Sequence, residues 1–136
     1  MLNDLLCRPF GHHNLPAPSP AHDLAVSIVV AMEQRKLSGT PYAPAVTRCG
    51  AGGWDVISFD IDGEPILIDV QTSPGTRREP LQLTRQELAR LREILHRDYN
   101  YRIYHLYDIR STADYKLHIY MTDDLRRYVS RHTEED

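Results

Sequence analysis

Two short β-strands joined by a tight turn constrain the fold of this chain more than any other feature of its sequence. The segments "WDVISFD" and "PILIDVQT" alternate in side-chain character and are rich in β-branched and aromatic residues, as strands are. The turn between them contains Asp62-Gly63, a strong short-range hairpin signal. The two strands are therefore predicted to pair antiparallel.

Two helices have recognisable start signals. Thr84 and Glu87 form a capping box at the start of "LTRQELARLREIL", in which leucine recurs at helical spacing. Ser19 is predicted to cap an earlier helix that has Pro20 in its first position and stops near Gly39. Both segments are therefore predicted to be amphipathic helices.

The remaining segments complete an α/β domain. "YRIYHLYDI" and "KLHIYM" alternate as strands, "DDLRRYV" is typical of a last helix, and "TPYAPAVTRCGAGG" is typical of a long loop. The predicted order is helix, strand, strand, helix, strand, strand, helix, which indicates a central mixed sheet flanked by helices. We expect a flexible tail over residues 1–18, a single domain over 19–130 and a polar tail over 131–136.

Composition narrows the class of protein. No apolar run approaches the length of a membrane span and the N-terminus lacks a signal-peptide pattern, so we expect a cytoplasmic protein without membrane association. Cys7 and Cys49, which have no C-x-x-C neighbour, are predicted to be reduced thiols. The formal net charge of −3 argues against a generic polyanion binder. Arginines nevertheless concentrate between residues 77 and 110, which indicates either a solvated face or a phosphate-binding surface.

Acidic and amide side chains interrupt the second strand. Asp69 and Gln71 share one of its faces, and hairpin pairing can bring Asp55 beside them. Two carboxylates with the backbone carbonyl of Val70 are oxygen ligands of the kind that Mg²⁺ prefers, and such a metal could activate water at a phosphate. The alternative is structural: Asp55 caps a turn and Asp69 pairs with an arginine.

Other candidate side chains have structural interpretations. The histidines in or near the tail, His22 among them, have no Cys or His partner at metal-ligand spacing, so we expect them to be solvent-exposed. The tyrosines of "NYRIYHLYDI" are expected to pack in the sheet, or alternatively to stack on bases.

Four ordered motifs resemble a known family. "GGWDVISFD", "ILIDVQT", "LQLTRQELARLREI" and "NYRIYHLYDI" are similar to the domain at the C-terminus of the plant protein NO VEIN, which also occurs in many bacterial proteins. The resemblance covers roughly residues 20–129. It implies a relation to the PD-(D/E)xK nuclease-like fold, with a restriction-endonuclease-like αβββαβ core and a site that holds Mg²⁺ or Mn²⁺.

The resemblance also implies roles for individual residues. Asp55 fills the position of the first motif acid, and Asp69 that of the second, where glutamate is commoner. Asp23 lies where related domains often have a glutamate that faces the site; alternatively it is a solvated or capping acid. Gln71 occupies the position of the motif lysine. A neutral amide can hydrogen-bond but cannot offset charge at a phosphate, although some restriction endonucleases of this fold use glutamine there.

Two functional hypotheses follow from these assignments. In the first, the domain is a metal-dependent nuclease, a phosphodiesterase acting on DNA or RNA, with Asp55, Asp69, Gln71 and Asp23 at the catalytic site and Asp55, Asp69 and Val70 as metal ligands. Its nucleic-acid contacts would be Thr72, Arg77, Arg78 and Arg85. In the second, it is a catalytically inactive nuclease-like module that binds nucleic acid or protein in a larger assembly, such as a bacterial defence complex. The sequence leaves the oligomeric state open, a homodimer included.

Overall fold

The computed structural model describes residues 19–50 and 53–132. The predicted tail, with Cys7, and residues 133–136 lie outside the described residues. The elements in chain order are α1 (Pro20–Lys36), a short 3-10 helix (Ala43–Ala45), β1 (Thr47–Arg48), β2 (Val56–Phe59), β3 (Pro65–Ser73), α2 (Arg85–His96), β4 (Tyr101–Ser111), β5 (Asp114–Tyr120) and α3 (Thr122–His132).

The strands form one five-stranded mixed sheet in the order β1-β2-β3-β4-β5. β3 and β4 are parallel and the other neighbouring pairs are antiparallel. Helix α2 connects the two parallel strands, as a parallel pair requires a crossover. The predicted α/β class is confirmed, and the first six regular elements follow the αβββαβ order, which is consistent with a restriction-endonuclease-like core. β5 and α3 extend that core.

The predicted hairpin joins β2 to β3. Its turn is organised by Asp60, whose Oδ1 accepts hydrogen bonds from the backbone N–H groups of Asp62 and Glu64 at 2.9 and 3.0 Å. Gly63 has a φ of +88°, a left-handed conformation that glycine adopts without strain. The turn therefore sets the register that pairs Val56 with Ile68.

The predicted helix caps are present. The Oγ atom of Ser19 accepts the N–H of His22 at 3.1 Å, with Pro20 in the first turn. The capping box of α2 is complete, because Thr84 Oγ1 accepts the N–H of Glu87 at 3.1 Å and Glu87 Oε1 accepts the N–H of Thr84 at 3.0 Å. Helix α3 continues to His132, past the start of the predicted polar tail.

Helices cover both faces of the sheet. Tyr104 of β4 donates a hydrogen bond to the buried Glu33 of α1 at 2.8 Å, so α1 lies on the face of Tyr104. Tyr101 points to the opposite face because the strand separates the two by three residues, and on that face Arg90 of α2 binds Asp69. Helix α3 packs beside α2. The buried residues that fill both layers include Ala25, Val29, Trp54, Ile57, Ile68, Ile94, Leu106 and Leu125.

Two further observations concern the oxidation state of Cys49 and the question of membrane-spanning helices. Cys49 is disulfide-bonded, so the prediction of a reduced thiol is wrong at this position. The absence of a C-x-x-C neighbour carries no information about whether a given cysteine is oxidised. None of the helices in the described part of the chain has both the length and the apolar character needed to cross a membrane.

Candidate functional site

A cavity of about 560 Å³, named the central cavity, opens between α1, α2 and the second half of β3. It lies where β3 continues beyond its pairing with β2, so the side chains of β3 are uncovered on one side. One wall is apolar and combines residues of α1, α2 and β4 with Leu83, which precedes α2. The polar residues that line the cavity include His22, Arg48, Asp55, Asp69, Gln71 and Thr72.

The structure brings Asp55 and Asp69 together, as the strand pattern predicts. The backbone N–H of Asp55 donates to Ile68 O at 3.0 Å and lies 3.2 Å from Asp69 Oδ1. The carboxylate of Asp55 turns back on the same strand, where its Oδ2 accepts the N–H of Val70 at 2.7 Å. Asp55 therefore ties the start of β2 to β3 through its backbone and its side chain.

Asp69 is held by two side chains that the sequence motifs do not include. Its Oδ2 accepts hydrogen bonds from Arg90 Nη1 at 2.7 Å and from the hydroxyl of Tyr101 at 2.6 Å. Burial raises the pKa of Asp69, and the charge of Arg90 opposes that rise. Burial, reinforced by the Asp69 charge, holds the pKa of Tyr101 well above its ordinary value, so the hydroxyl remains a donor. The sequence left open a structural role in which Asp69 pairs with an arginine instead of binding a metal, and this ion pair is present.

The partner arginine is itself positioned by packing. The side chains of Arg90 and Asp69 are 23% and 16% exposed, so solvent screens their ion pair little. The guanidinium of Arg90 lies 5.0 Å from the centre of the Trp54 ring, a cation–π distance. Trp54 immediately precedes Asp55, so one short segment contributes both an acid and the platform for the arginine.

Gln71 and Thr72 line the central cavity next to this network. Both are partly buried, and within the described residues neither side chain forms a hydrogen bond or an ion pair. Gln71 is paired in register with the buried His105 of β4. The amide of Gln71 and the hydroxyl of Thr72 are thus available to a ligand.

His22 is the site residue that sequence reasoning missed. It was expected to be solvent-exposed, but its side chain is 28% exposed and its Nε2 lies 3.4 Å from Asp55 Oδ2. The hydrogen bond with Asp55 raises the pKa of His22, against the effect of burial. The predicted cap at Ser19 places residue 22 in the first turn of α1, but its contact with Asp55 depends on how α1 packs against the sheet.

The remaining predicted site residues lie elsewhere. Asp23 is half-exposed, forms an ion pair with Arg48 and does not line the central cavity. Arg77 and Arg85 are exposed and do not line it either. Arg78 lines a second depression on the same side of the sheet as α3. The structure therefore places Asp55, Asp69, Val70, Gln71 and Thr72 in one cavity but leaves the three arginines outside it.

The two carboxylates expected to hold Mg²⁺ or Mn²⁺ are already engaged by protein groups in the structure. Both oxygens of Asp69 already accept hydrogen bonds, and a metal ion at Oδ2 would lie beside the Arg90 cation. The Asp55 oxygen nearest to β3 accepts from Val70 and contacts His22. Across residues 19–50 and 53–132, no group of three or more His, Cys, Asp or Glu side chains is arranged to hold a metal ion.

Comparison with known proteins identifies the family. The family model described as "Protein NO VEIN, C-terminal" matches residues 23–120, from the first turn of α1 to the end of β5. No curated protein and no solved structure matches the chain. The match covers most of the sequence and includes all four motifs on which the resemblance was based. The chain therefore belongs to the NO VEIN C-terminal family.

Proposed function

We propose that this domain is a nuclease-like module that binds single-stranded nucleic acid, takes one unpaired base into the central cavity and does not cleave the strand. This is the second of the two hypotheses from the sequence. Two features of the cavity carry the proposal. The amide of Gln71 is available for hydrogen bonding, and the carboxylate of Asp69 already accepts hydrogen bonds from Arg90 and Tyr101.

The arrangement argues against metal-dependent hydrolysis. A metal would have to displace Arg90 from Asp69, at the cost of leaving a buried cation without its partner. Gln71 also lacks the charge of the lysine found at the equivalent position in related nucleases. Two of the groups that this kind of hydrolysis needs are therefore unsuited to it in this chain.

The cavity has the chemistry of a base pocket. Its apolar wall can cover the face of a flat ring, and it is formed by Val26, Leu83, Leu91, Ile94 and Ile103. The Gln71 amide carries both a donor and an acceptor, and such an amide pairs with N6 and N7 of adenine. We therefore expect a preference for adenine at one position of the bound strand.

The strand that carries the base must be unpaired. A base inside a duplex cannot reach a cavity of this kind without leaving the stack, which costs a few kcal/mol. Arg48 and His22 line the same cavity, and the raised pKa of His22 favours its cationic form. Arg48 already pairs with Asp23 and His22 with Asp55, so an adjoining phosphate would share these two cations with the acids. A single strand offers both an unpaired base and a phosphate backbone, and no base has to leave a duplex stack.

A substitution of Gln71 tests the proposal. Fluorescence anisotropy would measure binding of Gln71→Ala to labelled single strands that differ only in one central base. We expect wild-type protein to prefer adenine and Gln71→Ala to lose about 5- to 150-fold in affinity for that strand, corresponding to about 1–3 kcal/mol for a bidentate pair.

The matched control is Gln34→Ala, an exposed glutamine on α1. This variant should bind with wild-type affinity and base preference. Equal behaviour of Gln71→Ala and Gln34→Ala, or binding of a protein partner with no affinity for any single strand, would refute the proposal.

A further inference from the structure

A second depression, named the arginine groove, lies between the segment that precedes α2, strand β5 and helix α3. Its volume is about 700 Å³. The residues that line it and that matter for binding are Arg78, His118, Tyr120, Arg127, Tyr128 and Arg131. Of the residues that the base pocket uses, Leu83 alone also lines this groove.

The groove concentrates positive charge in a chain whose net charge is −3. Three arginines line it together with one acid, Asp124. That acid is already used, because its oxygens accept the Met121 N–H at 2.9 Å and Arg127 Nη2 at 2.7 Å. Within the described residues neither Arg78 nor Arg131 forms an ion pair with a carboxylate. Their guanidinium groups are therefore available to an anion, and their planar forks suit phosphate.

Arg78 contacts an imidazole that must be neutral. Its Nη1 lies 2.7 Å from Nδ1 and 3.2 Å from Nε2 of His118, and a guanidinium can donate only to an unprotonated ring nitrogen. Burial, and then the charge of Arg78, lower the pKa of His118. A phosphate between the two would attract both groups and favour the imidazolium, so His118 can report on anion binding.

Aromatic rings alternate with these cations. His118 meets Tyr120 edge-on with ring centres 4.5 Å apart, and Tyr128 stacks on His132 at 4.0 Å. Grooves that bind single strands combine cations along the backbone with rings on which bases stack. The composition of the arginine groove therefore favours a polynucleotide over an isolated small anion.

The groove adjoins the central cavity. Leu83 lines both, and its backbone N–H donates to the hydroxyl of Tyr128 at 3.2 Å, which fixes the wall between them. A strand with a base in the cavity can therefore continue across Leu83 into the groove.

We propose that the arginine groove binds the phosphate backbone of the single strand whose base occupies the central cavity, with Arg78 and Arg131 as the phosphate contacts. The identity of the strand rests on the proposed function. The phosphate contacts themselves rest on the arginines, the imidazole and the tyrosines of the groove.

The first test is the salt dependence of binding. Arg78→Ala/Arg131→Ala should bind a single strand at least about tenfold more weakly than wild type at low salt. The slope of log affinity against log salt should fall by about 1.4, since each phosphate contact on a single strand contributes about 0.7. The matched control is Arg35→Ala, an exposed arginine of α1, which should retain the wild-type slope.

The second test separates the groove from the cavity. Inorganic phosphate titrated into the full chain, followed by NMR of the imidazole of His118, should raise the pKa of His118 in wild type but not in Arg78→Ala. Four other groups lie next to His118, namely Arg78, Asp124, His105 and Tyr120. Their NMR signals should be followed in the same titration, so that a change in one of them is not taken for phosphate binding.

The outcomes are distinguishable. A phosphate response in the groove together with no effect of Gln71→Ala on base preference would support the groove and overturn the base pocket. An unchanged salt slope in the double variant together with no response of His118 to phosphate would overturn the groove, whatever the cavity binds.

Discussion

Asp69 is the acid on which three parts of the chain converge, because it accepts hydrogen bonds from the Asp55 N–H, from Arg90 and from Tyr101. Its position beside Asp55 followed from the two-residue period of strands and from the hairpin. Its partners Arg90 and Tyr101 lie on α2 and β4, 21 and 32 positions away, and no local pattern connects them to β3. The sequence therefore predicts that an arginine can pair with Asp69 but not which arginine. The contact of His22 with Asp55 is missed for the same reason, because no local pattern connects the first turn of α1 to Asp55.

The Asp69–Arg90 pair gives a prediction at the residue scale. Arg90→Ala should lower the free energy of unfolding by about 3–5 kcal/mol at neutral pH, because it leaves a buried carboxylate without its cation. Urea denaturation followed by circular dichroism would measure the loss. Arg97→Ala, which breaks the half-exposed pair with Glu93, should cost at most about 0.5 kcal/mol.

The same variant should respond to pH. Burial raises the pKa of Asp69 in the folded protein, so the folded state binds more protons than the unfolded state between the ordinary value of 3.8 and the raised one. Stability contributed by this group therefore falls as pH rises through that window. The deficit of Arg90→Ala should shrink as the pH is lowered from 7 toward the ordinary pKa of 3.8. A deficit that is independent of pH would contradict the assigned burial of this charge.

The elements were more predictable than the contacts between them. Caps, the hairpin turn and hydrophobic periodicity are local signals, and they predicted α1, β2, β3, α2, β4, β5 and α3 in the correct order. Strand β1 was missed, because two residues, Thr47–Arg48, carry no periodic pattern and pair with β2 through tertiary placement alone. Which face of the sheet each helix covers likewise depends on tertiary packing, and no local sequence signal predicts it.

The hairpin gives a prediction at the scale of the element. Gly63→Ala should destabilise the protein by about 1–3 kcal/mol, because a Cβ at this left-handed position would lie 2.7 Å from the ring of Tyr42. Gly39→Ala is the control, since Gly39 has a similar φ of +86° but open space around it. Its cost should be limited to backbone strain, about 1 kcal/mol.

The difference between the two glycine variants isolates the ring contact. Thermal or urea denaturation of both proteins would measure it. Equal destabilisation of Gly63→Ala and Gly39→Ala would show that Tyr42 does not pack against the turn as the structure has it.

At the scale of the whole molecule, the fold combines an αβββαβ core with a central cavity lined by α1, α2 and β3. The element order and the family match describe the scaffold, and β5 and α3 add the arginine groove beside it. Overall charge is a poor guide to this surface, because the net value of −3 hides a local excess of arginine. The cavity and the groove meet at Leu83, and in our proposal they form one continuous path for a single strand.

The central claim is that this path binds nucleic acid without cutting it. The most direct measurement incubates the protein with a labelled single-stranded oligonucleotide and Mn²⁺, and follows anisotropy and fragment length in the same sample. We expect a rise in anisotropy and an intact strand for wild type and for Gln71→Lys, since Arg90 still occupies Asp69 in that variant. Metal-dependent fragments from wild-type protein that disappear in Asp69→Ala would contradict the claim.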